Sequence, residues 1–220
     1  MTESRSIVFV IDDDAPVRGA VRSLVQSVGL QVELFGSPQE FLLQERPDVP
    51  SCLVLDVRLP GISGLDFQQQ LADANIFIPI IFMTGYGDIP MSVRAMKAGA
   101  VEFLTKPFRG QDLLDAIHLA LEKDRERRRR EAEISLLRTR FESLTPRERT
   151  VLPLVVSGRP NKQIAAEIGT SETTAKVHRG RLMRKMGASS VAELVRIAEK
   201  LDIQSPQYDR TLVNQDFTKV

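Results

Sequence analysis

Blocks of apolar and mixed sequence alternate along the first 121 residues, and their period switches between that of a strand and that of a helix. Ile7 to Ile11 is an unbroken apolar run ending in Asp12-Asp13-Asp14. A short run of this kind predicts a strand buried on both faces. Pro16 then stands just inside a helix on which Val17, Val21, Leu24, Val25 and Val28 recur at helical spacing up to Gly29. Gln31 to Phe35 alternates as a second strand. Ser37-Pro38-Gln39-Glu40 opens a helix, with a capping Ser, Pro in the first turn and Glu three residues on. Cys52 to Leu55 runs straight into Asp56 before Pro60 and Gly61 break the chain, and a helix opens near Ser63-Gly64-Leu65-Asp66. Ile78 to Met83, ending in Thr84, predicts a fourth strand, and Ile89 to Lys97 a helix that stops at Gly99. Val101 to Thr105 is the fifth strand; it leads into Lys106-Pro107 and a helix from about Gln111.

Strands alternating with helices argue for a parallel, doubly wound sheet. Five such units in about 120 residues are the size of a flavodoxin-like α/β domain. The fold brings the strand ends Asp12/Asp13, Asp56, Thr84 and Lys106 to one edge, where open α/β sheets bind their ligands.

Beyond Leu121 the pattern changes. Glu122 to Glu133 holds eleven charged residues in twelve. Ile134, Leu137, Phe141 and Leu144 follow at 3-4-3 spacing, about two heptads and short of a coiled coil. The stretch reads as a solvated helical linker or as a signalling or dimerising helix. Thr145-Pro146-Arg147-Glu148 is a capping box for a helix through Val151, Leu154 and Val155 that stops at Gly158. A short helix from Asn161, with Ile164, Ala165 and Ile168 inside, turns at Gly169-Thr170-Ser171 into a longer one from Glu172 to Met186. Ser190-Val191-Ala192-Glu193 reads as a second capping box, for a last helix ending near Leu201. The pattern divides the chain into an α/β domain at 5–122, a charged linker at 123–141, a four-helix domain at 142–202 and a polar tail at 203–220.

The net charge of +1 conceals an asymmetry: residues 1–121 carry a net of −6, and residues 122–220 a net of +7. An acidic half joined to a basic half implies separate tasks, the second on nucleic acid. A single cysteine, Cys52, excludes a disulfide framework and fits a reducing, cytoplasmic compartment. No apolar run approaches eighteen residues, so no membrane partner is expected. Tryptophan is absent and aromatics are few, which points to aliphatic cores.

Two adjacent carboxylates at one strand end and a third at another are costly unless a cation sits among them. Hard oxygen ligands with open positions suit Mg²⁺, which favours phosphate as a partner. Lys106 would meet one phosphoryl oxygen and the Thr84 hydroxyl another. Singly, Asp14 reads as a helix cap and Lys106 as a salt bridge to Asp56. Together the set favours a carboxylate that accepts a phosphoryl group. In the basic half, the helices at about 161–168 and 171–186 have helix-turn-helix spacing. The second carries Lys176, His178, Arg179, Arg181, Arg184 and Lys185, with Val177, Leu182 and Met186 as its inner face or apolar groove contacts. A solvated cationic helix is the alternative when it is read alone, and the small helix before it and the cap-and-stop pattern around it disfavour that alternative.

Asp12-Asp13, Asp56, Thr84, Phe103 and Lys106-Pro107 together resemble the receiver domain of two-component response regulators. The runs Gly87-Asp88-Ile89-Pro90-Met91 and Met96-Lys97-Ala98-Gly99-Ala100 are similar to the FixJ subgroup; Tyr86 stands where some relatives carry histidine. Leu144-Thr145-Pro146-Arg147-Glu148, Asn161-Lys162-Gln163-Ile164-Ala165 and Lys176-Val177-His178 resemble the LuxR-type DNA-binding domain of FixJ- and NarL-like regulators. The resemblance implies phosphorylation of Asp56 by a histidine kinase. It implies Mg²⁺ held by the Asp12-Asp13 pair (Asp13 directly), Asp56 and the main-chain carbonyl of Arg58, and Lys106 and Thr84 on the phosphoryl oxygens. Phe103 is then the coupled switch, and the peptide before Pro107 is cis. Receivers would pair into a homodimer through the fourth helix, fifth strand and fifth helix, and the protein would bind promoter DNA and recruit RNA polymerase. Lys176 and Val177 would approach bases while Lys162, Arg181 and Lys185 hold phosphates, with Arg179 and Gly180 on the same helix. Gly180 either weakens its helix or lets the backbone lie close to DNA. A phosphatase of the haloacid-dehalogenase type would want an acid two residues after the nucleophile, where this chain has Arg58. A phosphorylation-independent adaptor with a vestigial receiver is the other rival, and the intact pocket gives it no support. The protein is thus expected to be a regulator and not a metabolic enzyme.

Overall fold

The two most apolar runs have no side they can turn to water, and in the computed structural model they form the middle of a sheet. The structure describes residues 6–203. β1 (Ile7–Ile11) and β3 (Ser51–Asp56) pair side by side and are buried along their whole length. β2 (Gln31–Phe35) flanks β1, while β4 (Ile80–Thr84) and β5 (Glu102–Thr105) extend the other side. All neighbours are parallel, in the order β2-β1-β3-β4-β5. The direction in which strands are added to the sheet reverses at the β1–β3 pair, so Asp12 and Asp56 flank the point where a crevice opens at the strand ends.

Pleating sends alternate residues to opposite faces. Phe9, Ile11, Leu53, Leu55 and Phe82 meet α2 (Pro38–Leu43), α3 (Gly64–Asp73) and α4 (Ile89–Lys97). Val8, Val10, Cys52, Val54, Ile81 and Met83 meet α1 (Ala15–Ser27) and the first turns of α5 (Gly110–Glu142). The second face is aliphatic, as the composition suggests, but the first is not. There Phe9, Phe35, Phe41 and Phe67 form a chain of tilted and edge-to-face rings with centroids 5.4–6.2 Å apart. Few aromatics suffice when the topology gathers them on one face.

Strand starts differ from the apolar pattern for a local reason. β4 begins at Ile80 rather than Ile78 because Pro79, next to it, has no N–H to give the ladder. β5 begins at Glu102, one residue late. Val28 does not join the buried stripe of α1; it caps the helix and is half exposed.

The described chain divides into two compact units between Arg129 and Arg130, inside the single helix α5. The charged run is therefore helical, as its composition suggests, but it is not all solvated. Asp124 is fully buried in the first unit, where it accepts the Ser51 N–H at 3.0 Å and pairs with Arg127 and Arg128 at 2.6–2.7 Å. In the second unit, α6 (Pro146–Val156), α7 (Asn161–Ile168), α8 (Glu172–Met186) and α9 (Val191–Lys200) enclose Val151, Leu154, Ile164, Leu182, Met186 and Leu194. Leu137 and Leu144 are buried in the same core, with Phe141 against it. Leu137, Phe141 and Leu144 of the 3-4-3 pattern thus record packing onto this unit's own core. Thr145 and Glu148 form the reciprocal capping box of α6. At α9 the second half shifts by one residue: Ser190 caps Glu193 N–H, but Glu193 reaches back to Ser189. The polar tail from 204 onward lies outside the described residues.

Candidate functional site

Three strand ends meet where a chain of opposite charges can close. Asp12, at the end of β1, is buried, and its two carboxylate oxygens accept the Asp14 N–H at 2.9 Å and Lys106 Nζ at 2.6 Å. Asp56, at the end of β3, accepts Lys106 Nζ at 2.8 Å on one oxygen and the Arg58 N–H at 2.7 Å on the other. One ammonium group therefore bridges two buried carboxylates, and Asp13 stands exposed beside them. Burial pushes the Asp56 carboxyl above its ordinary range, Lys106 opposes this, and the nearby Asp12 charge adds to it. For Lys106, burial works against the charge, but the bonds to Asp12 and Asp56 win and raise its pKa. A carboxylate that is partly desolvated yet fixed by two donors is suited to nucleophilic attack on an electrophilic phosphorus. Asp14 does serve as the cap of α1, accepting Val17 N–H at 3.4 Å.

Thr84 ends β4 fully buried, with Oγ1 accepting the Tyr86 N–H at 3.2 Å. Phe103 on β5 is half-buried, its ring 6.2 Å from Phe82. Gly87 lies against both: a Cβ there would stand 2.9 Å from Phe103 Cε1 and 3.1 Å from Thr84 Cγ2. The Lys106–Pro107 peptide is cis. Three further contacts shape the pocket and were not legible in the sequence. Arg18 donates to the Asp12 carbonyl at 2.6 Å, and the Arg58 guanidinium stacks on the Tyr86 ring 4.4 Å from its centroid. Gly64 allows α3 to start hard against the end of β3, since a Cβ would lie 2.3 Å from the Asp56 carbonyl oxygen.

In the basic unit, Gly169 in a left-handed conformation ends α7, and Ser171 caps α8, accepting Thr174 N–H at 3.2 Å. Ala175, Leu182 and Met186 form the buried stripe of α8, while Val177 is exposed, which settles its face. Lys162, Lys176, Gly180, Arg181 and Arg184 are exposed as well. Two of the expected DNA contacts are differently engaged. Arg179 donates to Asn161 Oδ1 at 3.2 Å, tying α8 to α7. Lys185 bonds the buried Glu148 at 2.7 Å and the Ser143 carbonyl at 3.0 Å. Burial works to raise Glu148, but Lys185 and the Thr145 bonds outweigh it and hold the carboxyl below its usual range.

Comparison with known proteins matches residues 8–118 to the response regulator receiver domain and residues 142–198 to the bacterial regulatory proteins of the luxR family. Nodulation protein W of Bradyrhizobium diazoefficiens is 54% identical over 96% of this chain and 92% of its own. The chain belongs to the FixJ-type response regulators. The structure of the response regulator StyR, 50% identical, superposes with a TM-score of 0.80 over 90% of this chain and all of its own. Full-length FixJ from B. japonicum, 38% identical, does so with a TM-score of 0.54 over 93% of this chain and all of its own. This response regulator is accordingly a phosphorylation-controlled, DNA-binding transcriptional regulator of a two-component system. Among the described residues no helix of the response regulator is long and apolar enough to cross a membrane.

Proposed function

We propose that Asp56 is the residue phosphorylated in this response regulator, by a partner histidine kinase, and that the phosphoryl group is held by Lys106 and Thr84. The observation that carries this reading is the single Lys106 ammonium bridging Asp12 and Asp56 at 2.6 and 2.8 Å. In the step, an Asp56 carboxylate oxygen forms a bond to phosphorus as the donor's bond to phosphorus breaks, and the leaving group departs with that electron pair. Lys106 neutralises charge on the transferred group, and Thr84 turns its hydroxyl from Tyr86 towards it. The donor set also fits Mg²⁺. Asp12, Asp13 and Asp56 outnumber the one lysine, and they offer hard oxygen donors. That suits an ion that keeps several waters and takes only one or two carboxylates. Asp13 and Asp56 with the Arg58 carbonyl would hold it, Asp12 supporting them, and when bound it supplies positive charge for the phosphoryl oxygens. The protein's own chemistry is its phosphorylation and slow dephosphorylation, not metabolic turnover.

On this reading residues 5–122 receive the signal and 142–202 bind DNA, with 123–141 running between them. Phosphorylation pairs receivers through the α4–β5–α5 face, where Ile89, Val93, Met96 and Leu119 are exposed. The dimer then engages a two-fold promoter site in the cytoplasm and recruits RNA polymerase. Lys176 and Val177 read bases; Lys162 and Arg181 hold phosphates. Incubation with Mg²⁺ and acetyl phosphate, followed by intact-mass measurement, should show one phosphoryl group on wild type and none on Asp56→Asn. Asp13→Asn should be labelled weakly. Full labelling of Asp56→Asn would assign the nucleophile elsewhere.

A further inference from the structure

Gly180 sits in the middle of the fifteen-residue helix α8, at a position where glycine is disfavoured relative to alanine. Its neighbours within the protein give no reason for it. A Cβ built at Gly180 meets nothing within 4 Å, and its φ lies outside the left-handed region. The residue is exposed. At about 100° per residue, it falls on the side of α8 opposite the buried Ala175, Leu182 and Met186. Thr173, Val177, Gly180 and Arg184 then form one exposed line along the outer face, with Lys176 and Arg181 to either side. Arg179 and Lys185 fall nearer the buried stripe, which is why each finds a partner inside the domain.

We infer that Gly180 is a specificity-determining residue of the DNA interface. By lacking a side chain, it lets the backbone of α8 lie against base edges in the major groove and brings Val177 and Arg184 within their reach. This rests on the proposed assignment of α8 as the reading helix. The open space lies on the helix surface, where a partner from outside the domain can come close to the backbone. A duplex groove fits, because the line is flanked by cations and bears an apolar Val177 that can meet a thymine methyl group. Phosphate contacts from Lys162 and Arg181 do not need this closeness, so its loss should touch sequence preference and not general affinity.

The test uses the full chain treated with Mg²⁺ and acetyl phosphate, and a randomised duplex library from which wild type enriches its preferred sequence. Gly180→Ala should bind that sequence at least tenfold more weakly, bind the unselected library within about twofold of wild type, and melt higher by about 2–4 °C. The higher melting point shows that the loss is not one of folding. Gly180→Leu should extend the loss on the preferred sequence without changing the salt dependence, since no charge is removed. Equal affinity of Gly180→Ala for the preferred sequence, or an equal loss on both DNAs, would overturn the inference. If wild type enriches no sequence at all, the assignment of α8 itself falls, a different result from either.

Discussion

Asp56 gains its character from being buried beside Lys106, and this has a consequence for stability. Its carboxyl is raised in the fold chiefly by desolvation, so the folded protein binds that proton more tightly than the unfolded chain does. The contribution favours the fold in acid and is lost as pH rises through the folded pKa. Asp56→Asn, which has no such charge to bury, should therefore gain on wild type as pH rises from about 4 to about 7. Urea melts of both proteins at the two pH values measure this; a gap that shrinks towards neutrality would contradict it. Lys185 illustrates the opposite relation between residue and role. Its sequence position on a cationic helix suggests a phosphate contact, yet it pairs with buried Glu148, 37 residues away. Lys185→Ala should cost about 1–3 kcal/mol of domain stability by leaving Glu148 without its cation. Lys176→Ala, on the exposed face, should leave stability unchanged and cost about 1–3 kcal/mol on the preferred DNA sequence. Thermal melts and DNA titrations on the pair separate the two roles.

At the level of elements, what the sequence made legible was local. The caps at Asp14, Ser37, Ser63, Thr145 and Ser190 lie within a few residues of the N–H groups they satisfy, and each helix starts where its cap stands. The strand-end residues were legible for a related reason: a parallel sheet sends all strand ends to one edge, so topology alone gathers Asp12, Asp56, Thr84 and Lys106. Contacts between distant segments were not legible. Nothing in the run from Glu122 to Glu133 marks Asp124 as different from its charged neighbours, because its key partner, Ser51, is 73 residues away. In the structure Asp124 fastens this part of α5 to the start of β3, with Arg128 also paired to Asp48 and Arg125 bonded to Ser6. Asp124→Ala would strand the Ser51 N–H and remove one of the ion pairs of Arg127 and of Arg128. We expect a loss of about 2–4 kcal/mol in receiver stability, read by urea unfolding. A variant as stable as wild type would return Asp124 to the solvated face that its surroundings in sequence suggest.

In the whole molecule one helix joins an acidic receiver to a basic DNA-binding unit, with phosphorylation as the input. On the proposed reading Thr84 and Phe103 would transmit it: Gly87 lies close to both side chains, and Thr84 would gain a new acceptor when a phosphoryl group arrives. Thr84→Ala should accept the phosphoryl group yet dimerise poorly by sedimentation, and equal dimerisation would break that link. The dependence of DNA binding on Asp56 is the point on which the rest stands. It is measured by titrating the enriched duplex with the full chain, before and after treatment with Mg²⁺ and acetyl phosphate, for wild type and Asp56→Asn. Wild type should gain at least tenfold in affinity on treatment, and Asp56→Asn should gain nothing. An equal gain in Asp56→Asn, or none in a wild type shown by mass to be phosphorylated, would contradict the account.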